Sequence, residues 1–210
     1  RGKIVQIVGP DKIHYENVLS FTNIDEKFNL KDSSKVRIHW VENNSFVPVS
    51  KIEDTNNNGI YDYVEWITPS LSNQTFLIII EISKAEHLDS SKQFISDIYE
   101  QVKSLDNIWS ETINNNEYVR VTFQQNLTNK NDITLYPRII SGDPTIEVYE
   151  QNGTNKIAEF NFIVENDYNK VLLINLPDDY SQDVFDLKVS GGSLQLDYIV
   201  DPTTTIVPIS

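Results

Sequence analysis

The chain has 210 residues, a formal net charge of −14, and neither cysteine nor methionine. That length suits one large or two small domains, and the charge disfavours nucleic-acid and anionic-membrane binding, which depend on clustered Lys and Arg. Without cysteine there are no disulfides, thiolate metal sites or cysteine nucleophiles, and the missing oxidisable side chains are compatible with life outside the cell.

A hydrophobic fraction of 39% is enough for a packed core. Lys3–Val8 alternates and ends at Gly9-Pro10, which predicts a first strand closed by a turn. Val18–Phe21 and Phe28–Leu30 are short strand candidates. Val36-Arg-Ile-His-Trp-Val41 is the clearest alternating strand, with Val36, Ile38 and Trp40 inward and Arg37 and His39 outward. Asn43-Asn-Ser45 turns the chain, and Phe46–Val49 is its expected hairpin partner.

Asp54-Thr-Asn-Asn-Asn-Gly-Ile-Tyr-Asp-Tyr-Val-Glu65 follows, and its spacing is that of a twelve-residue Ca2+ loop. Asp54, Asn56 and Asn58 stand at positions 1, 3 and 5, and Gly59 supplies the sharp turn at position 6. Ile60 offers its carbonyl, Asp62 stands at position 9, and Glu65 closes the site at position 12. A hard divalent ion needs oxygen donors around a sphere, and alternate side chains wrapped by a glycine deliver them from one segment. The competing reading is a polar turn ending in Asn58-Gly59. With only three carboxylates, the expected affinity is weak to intermediate, on the order of 10⁻⁵ to 10⁻³ M. The preceding Val47–Glu53 reads as extended and Pro69 limits any helix beyond, which points to a structural clip rather than a sensor.

Tyr63, Val64, Trp66 and Ile67 form a hydrophobic anchor, and Pro69–Asn73 reads as a turn. The strand Thr75–Ile82 contains the most apolar run, Phe76–Ile80, far shorter than the roughly 20 residues of a membrane helix. Ser90-Ser-Lys-Gln93 has the form of a capping box, with Phe94, Ile95, Ile98, Tyr99, Val102 and Leu105 at helical spacing after it. One amphipathic helix packed on a sheet is expected there. From Asn114 the pattern is strand again: 117–123, 133–140, 145–149, 156–162, 170–175, 184–189 and 194–200, with a tight hairpin expected at Gly191-Gly192. The whole reads as mainly β, two antiparallel, immunoglobulin-like sandwiches with one amphipathic helix between or packed on them. The domains are placed at 1–83, containing the calcium loop, and 84–202. Residues 203–210 are a linker, a tail or a strand donated to a neighbouring subunit.

Other chemistry is sparse. His14, His39 and His87 lack zinc spacing and are expected at the surface. There is no nucleophile elbow, phosphate loop or dinucleotide glycine pattern, and acid pairs such as Asp178-Asp179 and Asp183-x-x-Asp186 read as solvated surface. The chain is therefore not expected to be an enzyme. Trp40, Trp66 and Trp109 are candidates for a sugar-stacking platform, although the strand parity of Trp40 places it inward. Asn43, Asn73, Asn126 and Asn152 begin N-x-[ST] sequons and are candidate glycosylation sites.

Asp54–Ile67 joined to Leu71–Thr75 resembles a module of large archaeal cell-surface proteins, which carry a D-x-[DN]-x-[DN]-G-x-x-D-x-x-E-W loop followed by a similar strand. Ala85–Asp89, Phe94–Asp97, Tyr118–Thr122, Phe185–Lys188 and the ending Asp197–Pro202 extend the likeness over roughly 35–202. It implies an exported, multidomain or polymerising protein of a surface layer, stalk or filament, and it carries no catalytic residues. The loop also resembles those of dockerins and thrombospondin type 3 repeats. The second half of a dockerin pair is missing, so no cohesin binding follows. The expected partners are copies of the chain, neighbouring surface domains or glycans, with no nucleic acid and no direct membrane insertion. A carbohydrate-binding or adhesive module is the alternative.

Overall fold

Period-two alternation recurs along this chain, and several of the strands it produces bury one face in the computed structural model, which describes residues 2–9, 15–71, 73–200 and 205–206. The chain is mainly β, built almost wholly from antiparallel sheets. It divides between Glu81 and Ile82 into two units, and Thr205–Ile206 clusters with the first.

In the first unit the strands are β1 (Gly2–Ile7), β2 (Tyr15–Asn23), β3 (Val36–Trp40), β4 (Ser45–Val47), β5 (Val49–Glu53), β6 (Tyr63–Leu71) and β7 (Gln74–Ile80). One sheet runs β1-β7-β3-β4 and the other β2-β6-β5. Pro48 carries the chain from one sheet to the other. Val5, Ile38, Phe76 and Ile78 from the first sheet share a core with Val64 and Trp66 from the second. Trp66 and Phe76 are both fully buried, with ring centroids 5.3 Å apart. The apolar run of β7 is explained by its place between β1 and β3. Thr205–Ile206 pairs in parallel with β1, and the rest of the tail lies outside the described residues.

Three local expectations change in this unit. Phe28 ends a 3-10 turn, Glu26–Phe28, rather than opening a strand. Asn29 behind it takes φ +49, a left-handed geometry that ends regular structure. The turn placed at Pro69–Asn73 begins later, because β6 pairs with β2 as far as Leu71. Pro69 is accommodated by the break at Asn17, whose φ is +56. Ile67 of the expected hydrophobic anchor points outward and is 39% exposed.

In the second unit the strands are β8 (Lys84–Leu88), β9 (Phe94–Asp97), β10 (Tyr118–Leu127), β11 (Asp132–Glu150), β12 (Lys156–Phe160), β13 (Asn169–Leu172) and β14 (Gln182–Val200), with one short helix α1 (Tyr99–Val102). The order is β12-β11-β14-β10-β8-β9, with β13 also on β11. β11 and β14 pair along almost their whole length. The first half of β11 carries β13 and the second half carries β12. Residues of both halves, such as Leu135, Leu196, Val148 and Leu187, line one core, so this sheet doubles over on itself.

The bend replaces two expected features. Gly191-Gly192 is not a hairpin, and 133–140 and 145–149 are not separate strands: each pair fuses into one 19-residue strand. Gly142 and Gly191 have φ +68 and +80, and the pairing shifts register there. A Cβ on Gly192 would lie 2.3 Å from the Ser141 carbonyl oxygen, so the two backbones cross where only glycine fits.

The expected amphipathic helix is corrected as well. Asp89 Oδ1 accepts from the N–H groups of Ser91 and Gln93 at 2.8 and 2.9 Å, and Lys92 takes φ +60. That Asp-centred turn displaces Ser90 as a cap and closes a hairpin in which β9 pairs with β8. Phe94 and Ile95 are then 59% and 45% exposed, and only Ile98 and Val102 of the apolar stripe are fully buried.

Candidate functional site

The candidate calcium loop is the connection of the β5–β6 hairpin. The ladder closes with Glu53 opposite Tyr63, and the Asp62 N–H donates to the Glu53 carbonyl at 3.0 Å. Within the loop, Asp54 accepts from the N–H groups of Asn58 and Gly59 at 3.1 and 2.7 Å. Asn56 Oδ1 accepts from Asn58 N–H at 3.1 Å, and Asn58 Oδ1 accepts from Ile60 N–H at 2.8 Å. Asn57 and Gly59 take φ +59 and +86, which coil the segment. The side-chain oxygens at positions 1, 3 and 5 therefore all turn in on the loop.

The carboxylates of Asp62 and Glu65 make other contacts. Asp62 accepts from Thr55 Oγ1 and Thr55 N–H at 2.6 and 2.8 Å. The Thr55 hydroxyl first, and its N–H second, hold the Asp62 carboxyl below the usual range. Glu65 lies inside the ladder, opposite Lys51, where it accepts from the Tyr63 hydroxyl at 2.9 Å. That is two residues, about 7 Å, along the strand from the closing pair. Among the described residues no three His, Asp or Glu side chains converge as a ready-made metal cluster. The donors at the loop itself are all oxygen, one carboxylate and two amides, with the Ile60 carbonyl in the same turn. That chemistry fits a hard cation such as Ca2+, at the weak end of the range.

Sequence spacing missed the segment that holds this loop. Ile24 N–H donates to the Asp62 carbonyl at 2.7 Å and Tyr61 N–H to the Leu30 carbonyl at 2.8 Å. Phe28 and Leu30 root the segment in the core. Its 3-10 turn, capped by Asp25, sets the Glu26 carboxylate to accept from Asn56 Nδ2. An Asp-Glu pair in so acidic a chain gives no sequence signal.

The histidine expectation fails at His87, which is 3% exposed. Its ring nitrogens lie 2.7 Å from Glu111 Oε1 and 2.9 Å from Glu117 Oε2. Ser96 Oγ also donates to Glu111, and Asn114 N–H to Glu117 at 2.7 Å. With both nitrogens occupied, the buried His87 and its two partly exposed carboxylates tie β8 and β9 to the 111–117 segment and leave no ring nitrogen for a substrate. His39 is half-buried and pairs with Asn44, while His14 lies outside the described residues.

The three tryptophans differ in their surroundings. Trp66 is fully buried, and Trp40 is half-buried against Phe76, its Nε1 donating to Gln74 at 2.5 Å. Trp109 stacks with Arg138, 4.5 Å from ring centre to guanidinium carbon, and neighbours Tyr136 at 6.1 Å; Tyr136 meets the exposed Tyr168 at 5.4 Å. Asn43, Asn73, Asn126 and Asn152 are all exposed, although Asn152 Oδ1 accepts from Arg120 at 2.6 Å.

No protein-family model, curated protein or solved structure matches the chain.

Proposed function

We propose that this chain is a structural module of an extracellular surface layer, stalk or filament, with its β5–β6 hairpin clipped by calcium. The observation that carries the reading is the inward set of Asp54, Asn56 and Asn58 oxygens at the hairpin tip, within a Ca2+-loop sequence. A cation there fixes the exit direction of two paired strands. It binds the folded hairpin and not the unfolded chain, and stabilises by about 2.7 kcal/mol when free calcium is one hundred times its Kd. The net charge of −14 and the absence of cysteine and methionine support a soluble surface role. Copies of the chain are the proposed partners, and the four sequons suit a glycoprotein.

Thermal unfolding with millimolar calcium and then with chelator tests the clip. Calcium raises the Tm of the natural chain and leaves Asp54→Ala unmoved; a natural chain indifferent to calcium overturns the metal reading. Light scattering under the same two conditions tests assembly, and a monomer in both removes the self-association arm.

A second reading, carbohydrate binding, is favoured by the Trp109–Tyr136–Tyr168 cluster beside Arg138, in which Tyr168 is exposed and Trp109 and Tyr136 are half-buried, since sugar rings stack on aromatic faces. Glycan-array binding lost in Trp109→Ala establishes it, and an empty array removes it.

A further inference from the structure

The loop's Asn56 presents an amide whose two ends must be told apart. Only its oxygen can face a cation, and the isolated side chain has no strong preference. In this structure the Oδ1 faces the Asn58 N–H, a donor, while the Nδ2 faces the Glu26 carboxylate, an acceptor. Rotating the amide by half a turn would set oxygen against carboxylate and nitrogen against N–H, so both contacts would become repulsive. The backbone that carries Glu26 is held in place. Asp25 Oδ1 caps its turn by accepting from Lys27 N–H at 2.9 Å, and the flanking Ile24 and Leu30 are hydrogen-bonded to Asp62 and Tyr61 of the loop.

Resting on the calcium reading above, we infer that Glu26, thirty residues upstream, is the positioning residue of the site. It holds the Asn56 amide with its oxygen toward the ion. Outer partners that orient a metal ligand characteristically change affinity by about ten- to a hundredfold. The Asn56–Glu26 contact is exposed, so the lower figure applies here.

The test is calcium titration calorimetry on the full chain, with Tm in chelator measured alongside. Glu26→Ala weakens calcium binding about tenfold and leaves the Tm in chelator unchanged. Glu26→Gln restores part of the loss, because its amide oxygen still accepts from Asn56. In an Asn56→Asp background the side chain has two equivalent oxygens and nothing to orient, so Glu26→Ala no longer weakens binding there. Asp54→Ala serves as the control. If Asp54→Ala abolishes binding but Glu26→Ala changes nothing, the role of Glu26 is overturned and the loop stands. If Asp54→Ala leaves binding intact, the loop assignment itself fails. An equal loss from Glu26→Ala in the natural chain and in the Asn56→Asp background overturns the orienting role.

Discussion

Asp186, on β14, is the most consequential charge in the second unit. Its side chain is completely buried. It accepts from Arg120 Nε and Nη2 at 2.7 and 3.0 Å, from Asn152 N–H at 2.9 Å, and pairs with Lys92 Nζ at 3.0 Å. Burial alone would raise this carboxyl, but the Arg120 guanidinium, the Asn152 N–H and the Lys92 ammonium outweigh it and hold the group below its ordinary range. Lys92 also lies over the Tyr118 ring, 5.0 Å from its centre. Asp186→Ala strands two mostly buried cations and one backbone N–H. Removing one partner of such a pair costs about 3–5 kcal/mol. For a unit of about 120 residues that lowers Tm by roughly 10–20 °C. Arg120→Ala leaves the carboxylate with Lys92 and Asn152, so its cost falls at the lower end of that range. Urea unfolding of the full chain, followed by hydrogen exchange in 118–127 and 182–200, measures both. A loss below about 1 kcal/mol for Asp186→Ala would mean the network is solvated, as an exposed pair would be, and would refute the reasoning. The pH dependence has a fixed sign. A lowered folded-state pKa makes the contribution complete above the ordinary carboxylate value of about 4 and lost as pH falls through the folded value.

Three further outcomes can be checked. Trp66 Nε1 is buried with no hydrogen-bond partner among the described residues, so Trp66→Phe costs less than about 1.5 kcal/mol in urea unfolding, whereas Phe76→Ala costs about 3–5. Gly192→Ala drives a Cβ into the Ser141 carbonyl oxygen, and the expected loss is about 2–3 kcal/mol by the same measurement; a neutral variant would show that the crossing of β11 and β14 is loose. Burial, then the hydrogen bond to Glu147, pushes the Tyr149 hydroxyl up to about 12. Its raised value makes the stabilisation complete below pH of about 10 and lost as pH climbs toward 12, so phenolate absorbance records this tyrosine ionising late or together with unfolding.

Strand-rich character was legible because alternation and apolar runs are local: Val36 and Ile38 need no partner to declare their parity. The Ca2+-loop spacing was legible for the same reason, since Asp54, Asn56, Asn58 and Gly59 are neighbours in the chain. What failed was whatever depended on a second strand. The apolar stripe after Gln93 satisfies helical spacing, but β8 offered an open edge and Asp89 a tighter turn. Gly191-Gly192 signals a turn in either fold, and only the long β11 alongside makes it a bend instead. His87 and Asp186 read as surface charges because burial is set by Glu111, Glu117, Arg120 and Lys92, which the fold brings from other elements. At the loop, the sequence by itself determined the donor chemistry. The tertiary structure decided that Glu65 stays in the ladder and that Glu26 arrives beside Asn56, because carboxylate placement follows from register and packing rather than from spacing along the chain.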